Sequence, residues 1–144
     1  MLKKLTKKES AEYGVTTNHE LMESGELRFR LVSGDGSSYA RIVSPNVGVW
    51  QNSHFHSTLT ETYIVQKGWI VFVEYINAKA VFRKINEGGT CSSHPGVPHN
   101  VYLTANCVHH CVKHGDLTIS DWNASQELDR LTKHLLENEI HYWF

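Results

Sequence analysis

Over most of the chain apolar and polar residues alternate in short runs broken by turn residues, the period-two pattern of half-buried strands. Leu27 to Val32 (LRFRLV) alternates apolar and basic residues and begins the first clear strand. Ser33 to Ser38 (SGDGSS) is a turn by composition, and Tyr39 to Val43 and Val47 to Gln51 read as strands split by Ser44-Pro45-Asn46. Further strands follow over Glu61 to Gln66, Ile70 to Tyr75, Lys79 to Ile85, Val97 to Thr104 and Val108 to His114. Between them lie Lys67-Gly68, Asn77-Ala78, Gly88-Gly89 and Ala105-Asn106, all turn chemistry. Many short strands joined by tight turns predict an all-β antiparallel sandwich or barrel.

The two ends differ from this pattern. Residues 9–26 are polar and weakly periodic and read as a short helical turn or an arm. Ala124 to Asn138 places Leu128, Leu131 and Leu135 on one face, which predicts a single C-terminal helix with Asn123 at its N-cap and Gln126 in the capping-box position. The tail Ile140 to Phe144 is apolar enough to pack on the barrel or on a second subunit. With no repeat, low-complexity tract or linker, the chain divides as an N-terminal arm (1–26), a β-barrel (27–120) and a C-terminal helix with an apolar tail (121–144).

Composition narrows the partners. The 144 residues carry a formal net charge of -1, which gives no general electrostatic grip on nucleic acid or an anionic membrane, so neither is expected as a partner. The basic start (MLKKLTKK) is followed by no apolar stretch of signal-peptide length, and no run approaches a membrane span. Three cysteines, an odd number, predict reduced thiols, and the expected location is the cytoplasm. Ten histidines are far more than average composition supplies and turn attention to imidazole chemistry.

Their spacing is informative between Gly48 and Gly68, which read G-VWQNS-H-F-H-STLT-E-TYIVQK-G. On a strand, His54 and His56 leave the same face with Cα atoms about 6.6 Å apart. Ser57 to Thr60 is a turn-length connector that would return the chain as the neighbouring strand and set Glu61 opposite the pair. Two imidazoles and a carboxylate form a mixed nitrogen and oxygen set suited to Fe(II), Mn(II), Ni(II), Cu(II) or Zn(II), with coordination positions left open.

The spacing G-x5-H-x-H-x4-E-x6-G resembles the first sequence motif of the cupins, without a gap. The second cupin motif, G-x5-P-x-G-x2-H-x3-N, is partly matched by Gly88 to Leu103 (G-GTCSS-H-P-G-VP-H-NVY-L). Gly88, Gly96 and His99 fall in register, while His94 stands where the family has Pro and Leu103 where it has Asn. The resemblance implies a small jelly-roll barrel in which His54, His56, Glu61 and His99 bind one divalent metal ion, the fourth ligand being known only through the resemblance. The donor set does not choose among Fe, Mn, Ni and Zn.

Other residues carry weaker expectations. In Cys107 to His114, Cys107 and Cys111 would share a face but stand about 13 Å apart, too far for one zinc ion or a disulfide. Either His109, Cys111 and Lys113 or His110, Val112 and His114 would line the barrel. Parity with Glu61 turns Tyr63 inward as a candidate catalytic proton donor or substrate contact. Trp50 fits the core better than the mouth, and His19 and His94 read as surface residues. Arg41, Lys79 and Arg83 are the cations available for a phosphorylated substrate.

Cupins include dioxygenases, sugar-phosphate isomerases, epimerases, decarboxylases and lyases. The resemblance therefore points to a metal-dependent enzyme acting on a small chelating metabolite, of the non-haem dioxygenase or sugar isomerase/epimerase type. The alternative is a non-catalytic domain that binds metal or a small molecule. The apolar tail and open sheet edges predict a homodimer.

Overall fold

The structure, a computed structural model, describes residues 1–115 and 121–140. Helix α1 (Lys7–Glu12) opens the chain; its N-cap Thr6 accepts from the Glu9 amide while the Glu9 carboxylate accepts from the Thr6 amide, a reciprocal cap. Strands β1 (Val15–Leu21), β2 (Leu27–Ser33), β3 (Ser38–Val43), β4 (Val49–Trp50), β5 (His54–Phe55) and β6 (Thr60–Lys67) follow. They continue as β7 (Ile70–Ile76), β8 (Lys79–Ile85), β9 (Thr90–Ser92), β10 (His99–Leu103), β11 (Val108–His114) and β12 (Asn123–Ala124), and helices α2 (Gln126–Thr132) and α3 (Glu137–Ile140) close the described chain.

All pairings are antiparallel, in two sheets ordered β1-β2-β3-β11-β6-β9 and β12-β5-β10-β7-β8, with β4 also on β10. This is the all-β, cupin-like jelly roll that the strand pattern and motifs predict. Two connections position the site. The turn between β5 and β6 carries the chain from the second sheet to the first, and the loop between β9 and β10 carries it back. Two motif glycines are explained by geometry: a Cβ on Gly48 would lie 1.8 Å from the Tyr102 hydroxyl, and Gly68 turns β6 into β7 at a φ of +81°, where side chains are strained.

The main core lies between the sheets and includes Ile42, Val65, Ile70, Phe72, Val101 and Leu103. A second core forms on the outer face of the second sheet, where Val71, Val73 and Tyr102 pack under Leu128, Leu135 and Ile140. Trp50 belongs to this second layer, its indole N–H donating to the Leu135 carbonyl at 3.0 Å. The outer face of the first sheet has no such cover among the described residues: Leu27, Phe29, Leu31 and Tyr39 are 40 to 44% exposed. Strand β2 thus reverses the usual rule, with Leu27, Phe29 and Leu31 outward and Arg28 and Arg30 turned to the barrel side.

Three expectations for the ends need correction. Residues 15–21, read as part of an arm, are an edge strand in full register with β2, from Val15 opposite Ser33 to Leu21 opposite Leu27. Its polar sequence gave no strand signal because its outer side is solvated. The single helix over 124–138 is instead divided into α2 and α3. The Leu136 amide donates to the Glu139 carboxylate at 2.6 Å and not to the turn of α2 before it, and the Leu135 carbonyl between the helices accepts from the Trp50 indole. Asn123 lies in β12 and is not the helix cap; Ser125 holds that position, without a side-chain cap bond. In the expected apolar tail Ile140 is fully buried, and residues 141–144 lie outside the described residues.

Candidate metal centre

Strand pairing builds the site. His54 on β5 and His99 on β10 are direct register partners, so their rings meet side by side with centroids 4.5 Å apart. His56 follows two residues after His54 and turns to the same side, its ring centroid 4.8 Å from that of His54. Glu61, at the start of β6, belongs to the other sheet and is not the neighbouring strand's residue that the turn length suggested. It reaches the three histidines across the barrel interior. Each of the four residues offers one ligand atom within 4.8 Å of all the others, and all four are buried.

The hydrogen bonds orient the rings. Nδ1 of His54 bonds the Asn52 carbonyl at 2.9 Å, that of His99 the Val97 carbonyl at 3.2 Å, and that of His56 the Asp121 carbonyl. A carbonyl only accepts, so in each ring Nδ1 carries the hydrogen and Nε2 presents its lone pair in the neutral form. The three Nε2 atoms then lie 3.3, 3.3 and 2.8 Å from carboxylate oxygens of Glu61, for His54, His56 and His99 in turn. The approach of His56 lacks hydrogen-bond geometry, and its Nε2 is a buried atom without a partner among the described residues. Lone pairs facing a carboxylate repel it unless a cation stands between them, and carbonyl-anchored imidazoles with a carboxylate are the usual outer arrangement of a divalent metal site. The donor set fits such an ion.

Burial alone would raise the Glu61 pKa. Hydrogen bonds from His54, His56 and His99, which require a proton on Nε2, together with the Lys113 ammonium 3.3 Å away, hold the carboxyl well below its usual range; with Nε2 unprotonated, Lys113 is the cation that opposes burial. Tyr63, inward as parity predicted, donates its O–H to Glu61 Oε2 at 2.7 Å. Burial first, and then the Glu61 charge, push the phenol well above its ordinary pKa, so it keeps its proton.

Two contributors gave no signal in the sequence. The Asp121 carboxylate accepts from the Ser57 and Thr58 amides at 2.8 Å each, which pins the turn between the two halves of the site; these bonds hold its pKa well below the carboxylate range. Trp122 stacks on the His54 ring at 5.5 Å, and β12 then pairs with β5. The segment just before α2 therefore clamps the histidine strand. No local pattern announces a partner 65 residues away.

The second histidine run is placed by β11. His109, Cys111 and Lys113 face inward, and His110 faces out, between the Tyr39 hydroxyl and Gln66 Oε1, each at 2.7 Å. Cys91, Cys107 and Cys111 are free and buried, and burial raises the Cys107 thiol to about 11 and the Cys111 thiol well above its usual value. Protonated thiols do not bind zinc, and among the described residues the histidines and carboxylate above form the one such cluster. His19 and His94 are exposed, as expected.

The cluster opens onto a cavity of about 270 Å³ whose lining includes His54, Glu61, Tyr63 and Trp122. Arg28, Arg30 and Lys113 also line it, whereas Arg41, Lys79 and Arg83 do not. The sequence named the wrong cations because the apolar side of β2 would ordinarily face the core.

No family model and no curated protein sequence matches the chain. Solved structures match its shape. The oxalate decarboxylase of Bacillus subtilis aligns at a TM-score of 0.61 and 13% identity, covering 87% of this chain and 36% of that one. The formate complex of the Lactobacillus farciminis oxalate decarboxylase aligns at 0.60 and 17%, covering 89% and 38%. A further structure of the Bacillus subtilis enzyme, described for its Mn(II) centres, aligns at 0.60 and 13%, covering 87% and 37%. The chain spans little more than a third of the length of these proteins, and at such identities the likeness is one of fold. Oxalate decarboxylases are cupins, and the cupin resemblance of the two sequence motifs agrees with this shape and with the His54, His56, Glu61 and His99 cluster.

Proposed function

We propose that this cupin-fold chain is a metal-dependent enzyme acting on a small chelating metabolite at one divalent ion held by His54, His56, Glu61 and His99. The observation that carries the reading is the orientation of the three histidines: every Nδ1 is spent on a backbone carbonyl and every Nε2 is turned toward one buried carboxylate. The ion, when bound, would supply Lewis-acid polarisation of a substrate oxygen or, as Fe(II), a site for O2. Fe, Mn, Ni and Zn are all compatible with the donors, and the Mn(II) centres of the Bacillus subtilis neighbour favour testing manganese first. Dioxygenase and isomerase or epimerase chemistry are the reactions we assign to it.

The protein's own groups have separable tasks. The three carbonyls fix the imidazole tautomers, and the Lys113 ammonium favours the ionised form of Glu61. Tyr63 is the proposed catalytic side chain: it lines the cavity and holds a proton on its phenolic oxygen as a hydrogen-bond donor beside Glu61. The 27–120 barrel with its 121–144 extension is the unit that we assign to this work, since Asp121 and Trp122 complete the site from the extension. The free thiols support a reducing compartment such as the cytoplasm. The bare apolar face of β2 and β3 supports a homodimer; a monomeric mass by sizing with light scattering would remove that assignment. No helix among the described residues is long and apolar enough to cross a membrane.

Metal analysis of the protein purified without added ions tests the reading, followed by oxygen uptake and turnover with small organic acids, ketones and sugars. One equivalent of metal with turnover is expected. Metal without turnover leaves only the non-catalytic binding domain, and failure to bind any of the four ions removes both.

A further inference from the structure

The cavity beside the candidate centre has a second pole. Arg28 and Arg30, two residues apart on β2, line it from the first sheet together with Lys113 of β11, while His54 lines it from the second sheet and Glu61 from the first. Glu20, opposite Arg28 in the β1 register, accepts from Nη2 of both arginines, that of Arg30 at 2.8 Å. Neither guanidinium is saturated: Nε of each is buried without a partner among the described residues. A buried donor left without an acceptor is costly, and an anion in the cavity would relieve it. Three cations thus stand against two carboxylates, Glu20 and Glu61, before any divalent ion adds its charge. Such a pocket selects against a neutral ligand and for an oxyanion, whose planar or tetrahedral oxygens match the guanidinium fork. Its volume of about 270 Å³ accommodates a small metabolite.

We propose that this is a two-point site: one end of the ligand chelates at the metal cluster, and the other carries a carboxylate or phosphate bound by Arg28 and Arg30. The proposal rests on the metal reading above for its first point and on the arginines alone for its second. Glu20 is the internal counter-anion that keeps the two guanidiniums apart from each other's charge and facing the cavity when the tail is absent.

The test is calorimetric binding to the Mn(II)-loaded 144-residue chain, using ligand pairs that differ in the tail: lactate against malate for a carboxylate, and glycerate against 3-phosphoglycerate for a phosphate. The tail-bearing member of at least one pair binds about 10-fold or more tightly, as a charge-assisted bidentate contact implies, and the pair that responds identifies the anion. Arg30→Gln abolishes that gain with metal stoichiometry and tailless affinity unchanged, and Arg30→Lys restores part of it. Glu20→Gln increases the gain, an outcome that purely structural ion pairs would not produce and one that remains available if the arginine variants fail to fold. No gain in either pair, or a gain that survives Arg28→Gln and Arg30→Gln, overturns the proposal while leaving the metal reading intact. If the chain takes up no metal, the first point fails; inorganic phosphate titrated into the metal-free protein then tests the second, which stands only if Arg30→Gln weakens that binding.

Discussion

Residues 54–61 and residues 107–114 both set histidines at strand spacing, yet they end in opposite environments. In the first, His54 and His56 have their Nδ1 atoms tied to carbonyls and their Nε2 atoms turned toward Glu61, with His99 completing the set. In the second, His109 is fully buried among apolar side chains with neither ring nitrogen bonded among the described residues, and His110 is spent on Tyr39 and Gln66 at the surface. A high histidine count therefore identifies no site. What distinguishes the first region is an acceptor behind each ring and an anion in front of it; Asn52 and Val97 are near in sequence to the rings they hold, as Glu61 is to His54 and His56, and of the acceptors only Asp121, behind His56, is remote.

The comparison can be tested in order of expected effect. Glu61→Gln keeps the shape of the first region and removes its charge; it should weaken metal binding by about 1,000-fold or more, near 4 kcal/mol, in a competition titration against a chelating dye. His109→Leu should leave that affinity unchanged, and a loss of comparable size there would erase the distinction between the two regions.

The second region should respond to acid. Burial first, with the charge of neighbouring His110, pushes the His109 pKa down to about 4. Below the ordinary value of about 6.5 the unfolded chain takes up a proton that the folded chain refuses until its own pKa is reached. His109 therefore takes nothing from stability above about pH 6.5, and stability is lost as pH falls from there toward 4. The full interval corresponds to about 3 kcal/mol. Urea unfolding of the chelator-treated protein at about pH 7 and about pH 5 should show a clearly smaller acid loss in His109→Leu than in the parent. Equal losses would mean that the ring is not buried neutral.

Asp121→Ala releases the Ser57 and Thr58 amides and loosens the segment whose carbonyl holds His56. A decrease in metal affinity of about 10- to 100-fold is expected, the size seen when outer partners of a metal ligand are removed, with one equivalent still bound in excess metal. No decrease would show that the clamp positions nothing. The smallest effect belongs to His110→Ala, which should change stability by no more than about 0.5 kcal/mol and leave metal affinity alone; a larger change would make the surface triad of Tyr39, His110 and Gln66 a structural element.

Legibility followed the range of the interactions. Strands such as Ile70–Ile76 and Val108–His114 were readable because alternation and turn residues are local signals. Edge strand β1 was not, since its polar side needs no alternation when the outer face is solvated. The seat of the segment between α2 and α3 involves the Trp50 indole, 85 positions from the Leu135 carbonyl that it binds, and no helical periodicity records that.

The sequence by itself determined the barrel class and pointed to His54, His56 and Glu61, because strand parity and spacing dictate which side chains leave the backbone together; His99 entered only through the resemblance to the second cupin motif. It also determined that Tyr63 shares the Glu61 face. Only the tertiary structure decided that Glu61 meets the histidines from the opposite sheet, that Asp121 and Trp122 close over them, and that Arg28 and Arg30 face inward while their apolar neighbours face out. The physical reason is common to all three. Each depends on which face of one element is covered by another, and that is fixed by the summed burial of the whole chain and not by the alternation within any one strand.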